Sequence, residues 1–261
     1  MYPQKTSFSF MQSNTFRLML IGILTLVLLI PLFLVQNLVE ERKDRQMSVV
    51  NEIAGKWGRE VFFYGPILKI PYKLYSDKNK NSFEIQYAYF FPEELKNVSN
   101  VKTEVKKRNN YESVVFNATM NFSGSYIVPD FSQKGIPNED ISWDRATILI
   151  RTTNLASIKN GVTIKIGAKD YAFEPIYDRQ DNDSNYYDNN EMPNEVASLE
   201  TGFINYQEFL TNSSFSFIIQ YDGSKRIAIV PIGKTTESQL TSNWANPSFT
   251  GNFLPYEKQI T

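Results

Sequence analysis

Apolar residues follow three patterns along this chain. Leu18 to Val35 form an unbroken apolar run of 18 residues without a charge. Met47, Val50, Ile53, Ala54 and Trp57 then recur at spacings of three and four. From about residue 60 apolar residues fall on every second position. The first pattern predicts a helix close to the ~20 residues that cross a bilayer. It lengthens to Phe16 and Leu38 if Arg17 snorkels to the interface. The second pattern predicts an amphipathic helix leaning on the domain C-terminal to it, bounded by Gly58, Gly65 and Pro66. It is too short for several coiled-coil heptads. The third predicts strands.

A cleaved signal peptide fits the first run less well. Signal cores are shorter, about 7–15 residues, and precede small residues at a cleavage site. Here Gln36, Asn37, Leu38, Val39, Glu40 and Glu41 come next in the chain. The run therefore reads as an uncleaved anchor. Its orientation is nearly tied on charge. Lys5, Arg17 and the amino terminus precede it, and Arg42, Lys43 and Arg45 come after it.

Strand signals are dense beyond residue 60. Phe83 to Phe91 alternates and is aromatic. Tyr111 to Tyr126 alternates at length, with Val114, Phe116, Ala118, Met120 and Phe122 on one face. Thr147 to Arg151 and Val162 to Ile166 add two more strands. Asn160-Gly161 reads as a tight turn, and Asp222-Gly223 as the turn of a hairpin joining Phe215–Tyr221 to Arg226–Val230. Pro92-Glu93-Glu94-Leu95 suits the start of a short helix or turn. Eight to ten strands at this spacing predict a sandwich. Residues 178–195 are dense in Asp and Asn and read as a long mobile loop.

Composition narrows the chemistry. The chain has 261 residues with no His and no Cys. That removes imidazole bases and Ser-His-Asp triads. It also removes ordinary zinc, haem and iron–sulfur sites, and disulfides. A net charge of −1 offers no nucleic-acid surface. Aromatics make up 14%, which favours pleated, half-buried surfaces. No catalytic, cofactor-binding or metal-binding residue is assigned.

Isolated motifs add little. Asp181, Asp183 and Asn185 copy the start of a calcium loop, but Tyr186 and Met192 stand where Gly and Glu are needed. Gly233-Lys234-Thr235 resembles the end of a phosphate loop, but Ala228 occupies the first glycine position. Sequons at Asn97, Asn117, Asn121, Asn182 and Asn212 fit chance in an Asn-rich chain.

Two longer clusters are more specific. The first is Trp57-Gly58 with Gly65-Pro66-Ile67-Leu68-Lys69-Ile70-Pro71-Tyr72 after it. The second runs from Leu240 to Pro255, through Ser242, Asn243, Trp244, Pro247, Phe249, Gly251 and Phe253. Proline and glycine bound extended segments in both, and the aromatic spacing of the second suits a stapled loop packed on a sheet. With the N-terminal anchor, these clusters resemble the CreD family of bacterial inner-membrane proteins, over roughly residues 16 to 256. Arg151-Thr152-Thr153-Asn154-Leu155 departs from that family, which tends to have an Asp-x-Arg-Gly type turn there.

The resemblance implies a cell-envelope integrity protein associated with colicin tolerance. It also implies a multi-span region beyond Thr261, so the sequence reads as an N-terminal portion, a fragment or a shortened gene product. The resulting fold class is mainly β: a transmembrane helix and a juxtamembrane helix precede a β-sandwich-like extramembrane domain. Residues 1–17 would be cytoplasmic, 18–38 the anchor, 39–58 the juxtamembrane helix and 59–261 the periplasmic domain. The lipid bilayer and envelope proteins are the expected partners, with no nucleic acid and no cofactor. Binding or structural support is the expected mode of action. The alternatives are a sensor domain signalling through the anchor helix and a carboxylate-based or Ser-Lys envelope hydrolase.

Overall fold

The computed structural model describes residues 14–75, 82–108, 110–176, 196–245, 247–251 and 257. The loop expected at 178–195 lies outside them, as do Phe253 and Pro255. The chain divides into two compact units, Met1–Glu52 and Ile53–Thr261.

The described residues of the first unit are helical. The apolar run and the amphipathic stripe, expected as two helices, are one: α1 runs from Asn14 to Trp57 without a break. Its 44 residues would span ~66 Å at 1.5 Å each. Continuity has a local cause. Gln36 to Gln46 contains no Gly or Pro, and Arg45 pairs with Glu41 one turn earlier at 2.7 Å. The apolar segment, with Pro31 inside it, is long and apolar enough to cross a membrane, and none of it is buried. Gly58 ends the helix with φ at +129°. A Cβ there would meet the Asp222 carbonyl oxygen at 2.3 Å.

The second unit is mainly β, as the alternation predicts. Its strands are β1 (Val61–Tyr75), β2 (Phe83–Phe90), β3 (Glu94–Arg108), β4 (Tyr111–Ser125), β5 (Thr147–Thr152), β6 (Thr163–Ile166), β7 (Lys169–Ile176), β8 (Ala197–Thr201), β9 (Ser214–Gly223), β10 (Ile227–Ile229) and β11 (Thr235–Ser242). A short helix α2, Tyr206–Thr211, precedes β9. Among the described residues the sheet order is β10-β1-β5-β8-β7-β6-β9-β4-β3-β11, with β2 also on β1. β10 runs parallel to β1 and β11 parallel to β3, so the sheet is mixed.

The sheet folds over at β7. Lys169–Ala172 pairs with β6, whereas Phe173–Ile176 pairs with β8. The two halves then face each other. Phe63 of β1 stacks on Phe122 of β4 at 4.3 Å, and Phe122 on Phe217 of β9 at 4.9 Å. The alternating face of β4 supplies Phe116, Ala118, Met120 and Phe122 to this core. The arrangement is sandwich-like, made from one sheet bent upon itself.

Polar atoms inside are mostly tied. The Thr152 hydroxyl lies 2.7 Å from the Tyr221 hydroxyl and donates to the Phe62 carbonyl at 2.8 Å. Thr153 Oγ1 accepts from Phe62 N and donates to the Glu60 carbonyl. The Tyr126 hydroxyl, by contrast, is buried with no hydrogen-bond partner.

One local expectation fails, and a second, a short helix or turn at Pro92–Leu95, loses its helical alternative. Asp222-Gly223 does not turn a hairpin: β9 pairs with β4 and β6, and β10 goes to the edge of β1. Gly223 is the last residue of β9, where a side chain would run into the Phe116 ring. The Pro92–Leu95 segment forms no helix either. Glu94 already opens β3, and the Pro92 carbonyl accepts from Lys234 N at 3.0 Å.

Candidate functional site

The two motif clusters lie far apart in sequence and converge on one rung of the β3–β4 ladder. Trp57 ends α1, and its indole Nε1 donates to the Phe116 carbonyl at 3.3 Å. The Lys106 ammonium sits 4.5 Å over the Trp57 ring. Thr103 is the register partner of Phe116. Asn243 grips Thr103: its Oδ1 accepts from Thr103 N at 2.7 Å and Oγ1 at 2.9 Å, while its Nδ2 donates to the Thr103 carbonyl at 3.2 Å. A single carboxamide thus continues the β3–β11 ladder one step past Ser242. The Ser242 hydroxyl accepts from Trp244 N at 3.1 Å.

The remaining motif residues are less tightly grouped. Gly65 and Pro66 are buried at an irregularity in β1, between Tyr64 and Ile67, where the register with β5 shifts. Gly65 has φ at +145°, and a Cβ there would come within 2.8 Å of Ile150 Cγ2. Pro71 is buried opposite Tyr87, its carbonyl accepting from Ser142 N at 2.9 Å. Trp244 and Phe249 are each 41% exposed, and Pro247 and Gly251 also lie outside the buried core. The expected loop stapled onto the sheet therefore leaves much aromatic surface in solvent.

A groove of about 720 Å³ opens beside α2, lined by Val128, Trp143, Asp144, Tyr206, Gln207 and Leu210 among others. One-turn 3-10 helices at Asn138–Asp140 and Trp143–Arg145 place Trp143. Asn205 caps α2 by accepting from Gln207 N and Glu208 N, and so places Tyr206. The Trp143 and Tyr206 rings stack at 4.1 Å, and the Trp143 indole donates to Asn138 Oδ1 at 2.7 Å. Burial pushes the Tyr206 phenol up to about 12, so it remains a neutral donor. An aromatic floor with a few convergent polar groups is the usual make-up of a binding groove. Neither Trp143 nor Tyr206 belongs to a periodic run, so sequence reading missed this site.

A smaller cleft of about 170 Å³ lies on the outer face of β1 and β2. Lys69 and Glu200, both largely buried, pair there at 3.1 Å, and the Thr147 hydroxyl also donates to Glu200. The Lys69 ammonium lies 4.5 Å over the Tyr87 ring. Each of the two hollows is lined by one carboxylate, Asp144 or Glu200. Glu174 stands opposite Glu200 in the β7–β8 register. Among the described residues no group of three or more Asp and Glu could hold a metal.

The minor motifs resolve simply. Lys234 pairs with Glu93 at 2.6 Å and leads into β11, as befits a strand entry. Asn97 is 1% exposed, so its sequon is closed to a glycan. Asn154 adopts a left-handed conformation and donates to the Glu60 carbonyl at 2.7 Å, which anchors the turn after β5. The calcium-like pattern at Asp181, Asp183 and Asn185 falls outside the described residues.

Comparison with known proteins agrees with the family resemblance. A family model described as inner membrane protein CreD matches residues 13–261. The inner membrane protein CreD of Escherichia coli (strain K12) is 24% identical over 241 residues, covering 90% of this chain and 50% of that protein. The chain thus spans about half the length of the curated relative it matches. No solved structure matches it. With nearly its whole length matched, the chain belongs to the CreD family of inner membrane proteins.

Proposed function

We propose that this chain is a membrane-anchored envelope-integrity protein whose β-rich unit stands in the periplasm and acts by contact, binding or bracing envelope proteins rather than by catalysis. Family membership supports the membrane setting, and α1 supplies a helix that could span it. The observation that carries the contact reading is the groove over Trp143 and Tyr206. Its stacked aromatic floor beside a few polar groups supports that reading.

Topology is the first test. A C-terminally tagged chain is expressed in a Gram-negative host, and spheroplasts are treated with external protease. Digestion of the portion from residue 40 onward, with cytosolic markers intact, is expected. Protection until the membrane is dissolved would place the β-rich unit in the cytoplasm and end the envelope reading. The second test is functional. Leu210→Glu, at the groove rim, is expected to lower tolerance to detergent and colicin challenge as deletion does. Wild-type tolerance in both strains would refute it.

One observation favours a sensor as the second reading. α1 passes without interruption from its apolar segment to Trp57, which contacts β4. That reading predicts a small-molecule thermal shift for the chain, and a broad ligand panel without one would remove it.

A further inference from the structure

The groove beside α2 joins an aromatic floor to a set of neutral polar side chains. Asn138, Asp144, Asn205 and Gln207 line it together with the stacked rings of Trp143 and Tyr206. Among the described residues no lysine or arginine lines it, so Asp144 supplies its only formal charge. Two of the carboxamides are held in place by their oxygens. Asn138 Oδ1 accepts from the Trp143 indole at 2.7 Å. Asn205 Oδ1 accepts from Gln207 N at 3.1 Å and Glu208 N at 3.3 Å. Each keeps the donors of its NH2 group unspent among the described residues. The side chains of Asp144 and Gln207 are exposed and make no hydrogen bond or ion pair among those residues.

This lining selects among ligand classes. A phosphate or carboxylate would meet Asp144 with no cation to offset it. An extended peptide pairs with an open sheet edge. The edges among the described residues are β2, β10 and β11, and none of them lines the groove. A cation is held best over open ring faces. Here the two rings lie 21° from parallel, each covering a face of the other, and the polar lining is carboxamide more than carboxylate. A neutral polyhydroxyl ligand matches all of these features. Each hydroxyl both donates and accepts, so it can meet the unspent NH2 donors and the oxygens of Asp144 and Gln207 alike. The C–H surface of a sugar ring is apolar and packs on aromatic rings.

We propose, resting on the reading of this groove as the contact site, that its occupant is a neutral saccharide. The hydroxyls are taken by Asn138, Asn205, Asp144 and Gln207, and the C–H surface packs against the Trp143–Tyr206 stack. A volume of about 720 Å³ lies within the ~300–1,000 Å³ of ligand pockets. Carboxamides already fixed by internal bonds lose little freedom when a ligand arrives, which favours binding. Trp143 comes from the 3-10 helix Trp143–Arg145 and Tyr206 from α2, so the fold, and not a single loop, sets the geometry.

The test uses the full chain in a detergent without a sugar head group. It is titrated with chitotriose and with maltotriose, and binding is read by tryptophan fluorescence, since Trp143 lines the groove. A saturable change with either sugar at millimolar concentrations is expected. Gln207→Ala is expected to raise the apparent Kd about fivefold, as the loss of one hydrogen bond does. Asp144→Asn is expected to change it less than about threefold, because a carboxamide presents the same planar acceptor. Both positions are exposed, so the thermal melts should stay where they are. The proposal is overturned if neither sugar gives a saturable change, or if Gln207→Ala leaves the Kd unaltered. It is also overturned if the peptide Leu-Arg-Leu binds more tightly than either sugar and Asp144→Asn abolishes that binding, which would assign the groove to a basic protein segment. Sugar titrations that fail while Leu210→Glu still lowers tolerance sink the saccharide and leave the contact reading standing. Saturable sugar binding with normal tolerance in the Leu210→Glu strain does the reverse.

Discussion

The same one-atom deletion should have opposite effects at two buried tyrosines. Tyr221 is fully buried, with its hydroxyl 2.7 Å from Thr152 Oγ1. Tyr126 is 4% exposed, packed between Phe209 and Phe215, and its hydroxyl has no partner. A net buried hydrogen bond contributes about 0.5–1.5 kcal/mol, and an unpaired buried polar atom costs about 1–3 kcal/mol. Tyr221→Phe therefore loses about 1 kcal/mol, moderated because Thr152 keeps its bond to the Phe62 carbonyl. Tyr126→Phe gains about 1 kcal/mol or more by removing a desolvated hydroxyl that makes no bond in return. Chemical denaturation of the two variants and the parent, in one detergent, reads both shifts as changes in midpoint at constant slope. Shifts of the same sign would refute the reasoning, because the ring packing is retained in both variants.

The two phenols also predict behaviour in alkali: burial raises both, so the folded state holds protons that the unfolded state releases above about pH 10. Stability is thus full below pH 10 and falls as pH rises past it, by up to about 1.4 kcal/mol per unit for each phenol, and a pH series on Tyr126→Phe/Tyr221→Phe should show a shallower decline. Gly65→Ala should cost about 2 kcal/mol or more, from its positive φ and the approach to Ile150, read as a drop in denaturation midpoint. Asn243→Ala should cost about 1 kcal/mol globally, yet it should speed hydrogen exchange at the Thr103 amide at least about tenfold, because that amide loses its acceptor.

The parts of the fold legible in the sequence are those where one element's own periodicity decides its environment. β4 is the clearest case. Phe116, Ala118, Met120 and Phe122 alternate because one side of a two-layered sheet is core, and the structure buries all four. The α1 helix was readable as helix, and its continuity from anchor to stalk was readable as the premise of the sensor alternative, although apolar content changes at Gln36. β10 shows the opposite limit. Its strand was readable at Arg226–Val230, but its partner was not, since that partner lies in a parallel strand begun at Val61. The Asp222-Gly223 pair pointed to a turn, yet Gly223 is small because Phe116 and the Arg59 carbonyl approach it. The motif clusters stood out as sequence, but the meeting of Trp57 and Asn243 on one rung depends on the β3–β4 register. The groove is less legible still, since Trp143 and Tyr206 are brought together only by the return of the chain through β8.

That shared rung sets the path of a pull along the chain. The polypeptide enters the β unit beside Trp57 and passes beyond β11 beside Asn243, and both are fastened to the Thr103–Phe116 pair. Tension applied at these two points crosses a single cross-strand step. It bears first on the Trp57–Phe116 bond and the three Asn243–Thr103 bonds, and leaves the Phe63, Phe122 and Phe217 stack outside the line of force. Tension at these two points is expected to loosen the two attachments before it reaches the core.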